Sequence, residues 1–206
     1  MLILAADTSL PLLSVALLRD EILIGALVLE GKGSRNEKLL PSVDWLLSES
    51  GTPRESIDLF AVTRGPGSFT GVRIGLATLQ GLALVLGKPV CAMSTHEAIA
   101  SEFHQHVVIV DDAGRGEFYI SEFDGGRETR APHLATASER SSFHGHVVDV
   151  SAYLQRHNVA AGCARRALEI QRAGRLDGRN DSPAQAGARV RKTQARPLGT
   201  ARTRGM

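Results

Sequence analysis

"LILAADTSLPLLSVALLRD", residues 2–20, is an apolar run, a polar break and a second apolar run that ends in a charged turn. Short apolar runs bounded by turn residues read as strands, so the stretch predicts strand, turn, strand. A third run, "EILIGALVLE" at 21–30, follows directly after the Arg19-Asp20-Glu21 turn. Further on, "HVVIVDDAGRGEFYISEFDGG" at 106–126 repeats the scheme. Its first strand ends in an acidic pair followed by glycines, as the opening strand ends in Asp7-Thr8-Ser9. That echo predicts a duplicated strand-turn-strand unit. The three opening runs look apolar on both faces, as expected where helices cover a sheet from both sides.

Helices separate the strands. "RNEKLLPSVDWLLSES" at 35–50 places Leu39, Val43, Leu46 and Ser50 at helical spacing, with Leu40 and Leu47 beside them. Gly51 suits a C-cap and Pro53 forbids continuation. Pro41 lacks the N–H that would bond the Glu37 carbonyl, so this helix kinks there or starts close to it. "IDLFAVTRG" at 57–65 is the next strand and runs straight into a glycine turn. Residues 70–86 then form a second helix, "KPVCAMS" a strand, and "THEAIASEF" a short helix with Thr95 as N-cap. "VAAGCARRALEIQR" at 159–172 is a final amphipathic helix. The expected organisation is a first lobe over 1–103, a smaller second lobe over 104–173 and a basic tail over 174–206.

Composition sets the class. The chain has 206 residues, 43% hydrophobic and 22% charged, which suits a compact core of its own. Aromatics are only 4%, so that core rests on Leu, Ile, Val and Ala. Cys91 and Cys163 lack metal-ligand spacing and suggest a reducing compartment. The opening residues lack a basic segment, Asp7 interrupts them, and no run of about 18 apolar residues is evident. A cytoplasmic location is expected. The net charge of +2 is uneven, with +8 over 160–206 and −6 over 1–159. The basic end reads as a solvated segment or as a contact with RNA or an acidic partner.

The chemistry candidates centre on "TRGPGSFTGVRIG" at 63–75. A glycine turn opening a helix suits anions, because first-turn N–H groups point outward unsatisfied. The spacing nonetheless misses the dinucleotide pattern by one residue, with Thr70 where a third glycine belongs, and no Gly-Lys-Ser/Thr follows. Asp7, at the end of a buried strand, needs a partner. Nucleotide contact and N–H capping of its own turn both satisfy it, and capping is the expected reading. The pairs His104/His106 and His144/His146 lack a third ligand at a familiar spacing and are expected at the surface. Ser68 lacks the elbow spacing of a nucleophile. The helix "GVRIGLATLQGLALVL" is apolar or small nearly all round, with only Arg73 and Gln80 in a polar sector. Such a helix is buried on every side. Gly71, Gly75 and Gly81 each give up about 1 kcal/mol of helix propensity, which only close backbone packing recovers.

Together "LAADTS", "LSVALL", "NEKLLP", "GPGSFTGVRIGLATLQGLA" and "DDAGRGEFY" resemble the bacterial TsaB family, in order, through about residue 125. The resemblance implies an α/β protein with the two-lobed actin-like ATPase (duplicated ribonuclease H-like) fold. It also implies a role in making the threonylcarbamoyl group on adenosine 37 of ANN-decoding tRNAs. In that family the protein is a non-catalytic partner of TsaD, joined by the ATPase TsaE. ATP and metal are then used by the partner subunits, with tRNA reached through the complex, and the chain alone is expected to form a homodimer. The family motif falls on Asp7, Thr8, Ser9, Gly65, Gly67, Ser68 and Thr70, a degenerate phosphate loop. The two helices are then expected to present Leu39, Leu40, Val43, Trp45, Leu46 and Leu47, together with Gly71, Arg73, Gly75, Thr78, Leu79 and Leu82, to a partner. The chain departs from the family at Arg35-Asn36-Glu37, at Asp112-Ala113-Gly114 and at its basic end. It also lacks the His-x-x-x-His pair of TsaD-like proteins. The reading from a different class is a stand-alone actin-like-fold ATPase or glycoprotease-like peptidase.

Overall fold

The computed structural model describes residues 1–30, 35–174 and Leu176. The basic tail therefore lies outside the described residues, Gly174 and Leu176 apart. Strands β1 (Leu2–Asp7), β2 (Leu13–Arg19) and β3 (Ile22–Leu29) form an antiparallel meander. Helix α1 (Arg35–Glu49) leads to β4 (Leu59–Thr63), which returns parallel to β1. Helix α2 (Phe69–Leu86) leads to β5 (Val90–Met93), parallel to β4, giving the order β3-β2-β1-β4-β5.

Past α3 (Thr95–Ala100) the pattern restarts. Strands β6 (Val107–Gly114), β7 (Glu117–Asp124) and β8 (Arg127–Thr136) form a second antiparallel meander. Helix α4 (Ala137–Ser142) leads to β9 (Val147–Asp149), parallel to β6, in the order β8-β7-β6-β9. The second sheet thus repeats the first through its fourth strand. This is the duplicated ribonuclease H-like arrangement of the actin-like fold, and the strand-turn-strand echo in the sequence is its trace. Helices α5 (Val150–Leu154) and α6 (Val159–Arg172) complete the described chain.

Among the described residues three apolar clusters hold the layers, the smallest being Val108, Val110, Ile120 and Ala135 of the second sheet. On the outer face of the first sheet, Leu39, Val43 and Leu46 of α1 and Leu76 and Leu79 of α2 pack on Leu4, Leu17, Phe60 and Val62. Between the sheets lie α3 and α6, with Ala98, Ile99, Ala160 and Ala164 packed among Ile3, Leu18, Leu59, Ile109 and Phe123. Helix α6 follows the second sheet in sequence yet lies against β1, β2 and β4, so it crosses the division at residue 103. Asn158 fixes its entry. The Asn158 Oδ1 accepts the Ala161 N–H at 2.9 Å, and its Nδ2 donates to the carbonyls of Val15 and Leu27.

Several local expectations need correction. Strand β3 is not covered on both faces: it is a sheet edge whose burial alternates, leaving Ile22 and Val28 exposed. Helix α1 does not start close to Pro41 but begins at Arg35, and Pro41 lies on its exposed side, where an unpaired carbonyl costs least. The N-cap of α3 is Ser94, whose Oγ accepts the Glu97 N–H at 2.9 Å. Thr95 is instead the first helical residue and is fully buried. Helix α2 also has the length and mean hydropathy (1.5) of a membrane span, against the reading that no such stretch exists. Its Gly71, Val72, Gly75, Leu76, Leu79 and Ala83 are nevertheless packed on the first sheet.

Candidate functional site

Strand β1 delivers Asp7, Thr8 and Ser9, all buried, to the end of the sheet where the glycine turn leaves β4. The Asp7 carboxylate accepts the Ser9 N–H at 3.2 Å, the Ser9 hydroxyl at 2.6 Å and the Leu10 N–H at 3.4 Å. It also accepts the Thr63 hydroxyl. Burial pushes its pKa up and these bonds draw it back down. Asp7 therefore caps its own turn.

The glycine turn closes onto the same strand end. The Ser68 N–H donates to the Ser9 carbonyl at 2.7 Å, and the Ser68 hydroxyl caps α2 by accepting the Gly71 N–H at 3.2 Å. Thr8 Oγ1 donates to the Gly71 carbonyl at 2.6 Å. The Ser9 and Thr95 hydroxyls share a bond of 2.8 Å, and the Thr95 N–H donates to the Gly65 carbonyl at 2.8 Å. A Cβ on Gly67 would overlap the Ser9 carbonyl, and one on Gly71 the Thr8 carbonyl. The glycines thus let the turn approach the strand-end carbonyls. Thr70 is exposed on the first turn of α2.

Beside the turn opens a cleft of about 900 Å³ between the two sheets' ends. Ser9, Gly67 and Ser68 line it, with Asp111, Asp112 and Tyr119 of the second β-turn-β unit and Glu30. Among the described residues its lining holds three carboxylates, those of Glu30, Asp111 and Asp112. Burial raises the Asp111 pKa to about 6, helped by the charges of Asp112, Asp149 and Asp7. Among the described residues no three His, Cys, Asp or Glu side chains converge as metal ligands. His104, His106, His144 and His146 lie exposed. His96, which the sequence reading passed over, is fully buried, with Nδ1 2.6 Å from Ser121 Oγ.

The second feature is the outer surface of α1 and α2. Of the twelve side chains expected to meet a partner, Leu39, Val43, Leu46, Leu47, Gly71, Gly75 and Leu79 are buried in the chain's own core. The interface reading is wrong for these seven, because the apolar stripe of each helix is what its own sheet consumes. Thr78 and Leu82 are half-buried. Leu40, Trp45 and Arg73 are exposed, Trp45 by 50%. The same face of α2 carries Ala77, Gly81, Leu84 and Val85, which the sequence reading missed, and the last two are exposed by 83% and 85%. Helical spacing from the buried Gly71 and Gly75 was the signal that could have found them. Gly71 and Gly75 recover their lost propensity by approaching Thr8, whereas a Cβ on Gly81 would meet open space.

The family model described as "TsaD: tRNA N6-adenosine threonylcarbamoyltransferase" matches residues 33–167. The chain is 35% identical over 122 residues to the "tRNA threonylcarbamoyladenosine biosynthesis protein TsaB" of Bacillus subtilis (strain 168), covering 58% of this chain and 53% of that protein. To the protein of the same name from Escherichia coli (strain K12) it is 38% identical over 128 residues, 60% of this chain and 55% of that one. The chain thus spans about half the length of the curated relatives it matches. The solved structure titled "YeaZ from Pseudomonas aeruginosa" superposes with a TM-score of 0.68 at 27% identity, covering 90% of this chain and 97% of that one.

Proposed function

The chain belongs to the TsaB family, within the wider TsaD family, and from that premise we propose that it is a non-catalytic subunit of the machinery that makes N6-threonylcarbamoyladenosine in tRNA. It works by pairing with a TsaD-like subunit through the outer face of α1 and α2. A TsaE-like ATPase joins the pair, and tRNA is engaged through the complex, in the cytoplasm. The observation that carries this reading is that Leu84 and Val85 of α2 and Leu40 and Trp45 of α1 are large apolar side chains left exposed on the two helices. Four large apolar side chains on two adjacent helices favour a protein partner. The non-catalytic half of the reading is supported by Asp7, whose carboxylate is taken up by the hydroxyls and N–H groups of its own surroundings.

The test is reconstitution. A TsaD-like and a TsaE-like protein, tRNA and ATP are combined with and without this chain, and the modified nucleoside is measured by mass spectrometry. Modification is expected only with the chain present, and calorimetry of the chain alone with ATP is expected to give no binding heat. ATP turnover or peptide cleavage by the isolated chain would overturn the reading in favour of an enzyme in its own right.

A further inference from the structure

On the outer face of α2, Thr70, Arg73, Ala77, Gly81 and Leu84 recur every three or four residues, with Val85 beside the last, and all are exposed. Arg73 is the only charged side chain on the helix. Its guanidinium lies over the Phe69 ring, 3.9 Å from the ring centroid, and among the described residues no carboxylate pairs with it. Stacking holds the guanidinium in one orientation while its N–H edge stays available. Ala77 stands one turn further on, on the same face as Arg73 and Leu84.

From this we infer that Arg73 is a specificity-determining residue of the docking face: it receives a carboxylate carried by the helix of the TsaD-like partner that lies along α2. The inference rests on the proposed pairing and adds the chemistry of the partner. A guanidinium drawn out of water without an acceptor is strongly destabilising, so a partner that fits the row brings an anion to that position. A carboxylate matches the planar edge with two parallel bonds. A nucleic-acid backbone fits poorly, since Leu84 and Val85 are the large exposed side chains further along the same helix. Arg73 and Leu84 are eleven residues apart, about 16 Å along the axis at 1.5 Å per residue. The partner helix therefore carries an acidic and an apolar residue about three turns apart on one face. Where the helices cross, Ala77 and Gly81 allow close approach.

Binding of the full-length chain to the TsaD-like protein of the same genome is measured by calorimetry from low to high salt, for the parent, Arg73→Met, Arg73→Lys and Leu84→Asp. Arg73→Met is expected to weaken binding about tenfold at low salt and to flatten its salt dependence. Arg73→Lys is expected to keep the salt dependence while recovering only part of the affinity, because the ammonium offers no planar pair of donors. Parent-like affinity and salt slope in Arg73→Met would overturn the inference. Unchanged protein binding with weakened retention of tRNA would overturn it too, by assigning the cation to RNA. Leu84→Asp separates the two levels: it abolishes binding if α2 is the docking face, and if binding survives, the pairing surface itself is wrong.

Discussion

Thr8 and Gly71 hold each other from both sides: Thr8 Oγ1 donates to the Gly71 carbonyl at 2.6 Å, while the Thr8 carbonyl occupies the space a Cβ on residue 71 would need. The end of β1 and the start of α2 are joined by that double contact. Gly71→Ala is therefore expected to destabilise the fold by about 3 kcal/mol or more, because the obstacle is backbone and cannot rotate away. Gly75→Leu, whose Cβ would stand 2.5 Å from Thr8 Oγ1, is expected to fail in the same way rather than act as a clean interface probe. Urea unfolding midpoints of the two variants check both.

Gly81 should behave in the opposite sense. It is exposed in mid-helix with nothing near it, so Gly81→Ala is expected to stabilise the isolated chain by about 0.5–1 kcal/mol through helix propensity. Gly81→Leu is expected to leave the melting temperature intact yet block association with a TsaD-like protein, by holding the crossing helix away. Thermal melts and sedimentation of the same samples read the two effects separately.

Asp7→Ala tests the capping role. Removing the carboxylate leaves the Ser9 and Thr63 hydroxyls and the turn N–H groups without their buried acceptor. A loss of about 2–4 kcal/mol in unfolding free energy is expected. ATP affinity of the isolated chain, measured by calorimetry, is expected to be the same in variant and parent.

Acid should act through two groups of opposite sign. Burial holds His96 neutral, with its pKa lowered to about 3, and its Nε2 has no hydrogen-bond partner among the described residues. The unfolded imidazole takes its proton near 6.5, so this contribution is complete above that pH and is lost as pH falls toward about 3. Asp111, raised to about 6 from 3.8, does the reverse: its penalty at neutral pH is relieved as pH falls through that window. Asp111→Asn is therefore expected to stabilise the chain by about 1–2 kcal/mol at pH 8, allowing for solvent screening. It is also expected to steepen the loss of stability between about pH 6 and 4. Melting temperatures taken from pH 8 to 4 for parent and variant check the sign.

What the sequence made legible was set by burial. Strands β1, β2, β4 and β6 have continuous apolar runs because helices or a second sheet cover them, and the final helix was read at its observed ends. Strand β8 escaped notice because it is an edge: "RETRAPHLAT" is polar, contains Pro132 and is mostly exposed. The capping role of Asp7 was legible from local chemistry, since its partners at Ser9 and Leu10 are neighbours in sequence. Thr95 was misplaced as a cap for a long-range reason. Its hydroxyl bonds to Ser9, eighty-six residues away, and only the fold brings the two together. The exposed Leu84 and Val85 were missed because, in an all-apolar helix, composition does not say which face the chain's own sheet takes.

The return of α6 to the first sheet also fixes an order of events during synthesis. Strands β1, β2 and β4 leave the ribosome well before residues 159–172, yet those residues cover their inner face. Until then Ile3, Ala5, Ala16, Leu18, Leu59 and Ala61 lack that cover. The sheet that bears α1 and α2 gains that cover only after residue 172 has been made. A chain stalled before residue 159 presents an apolar sheet to chaperones and to neighbouring nascent chains, although every residue of its outer helix pair has already been made.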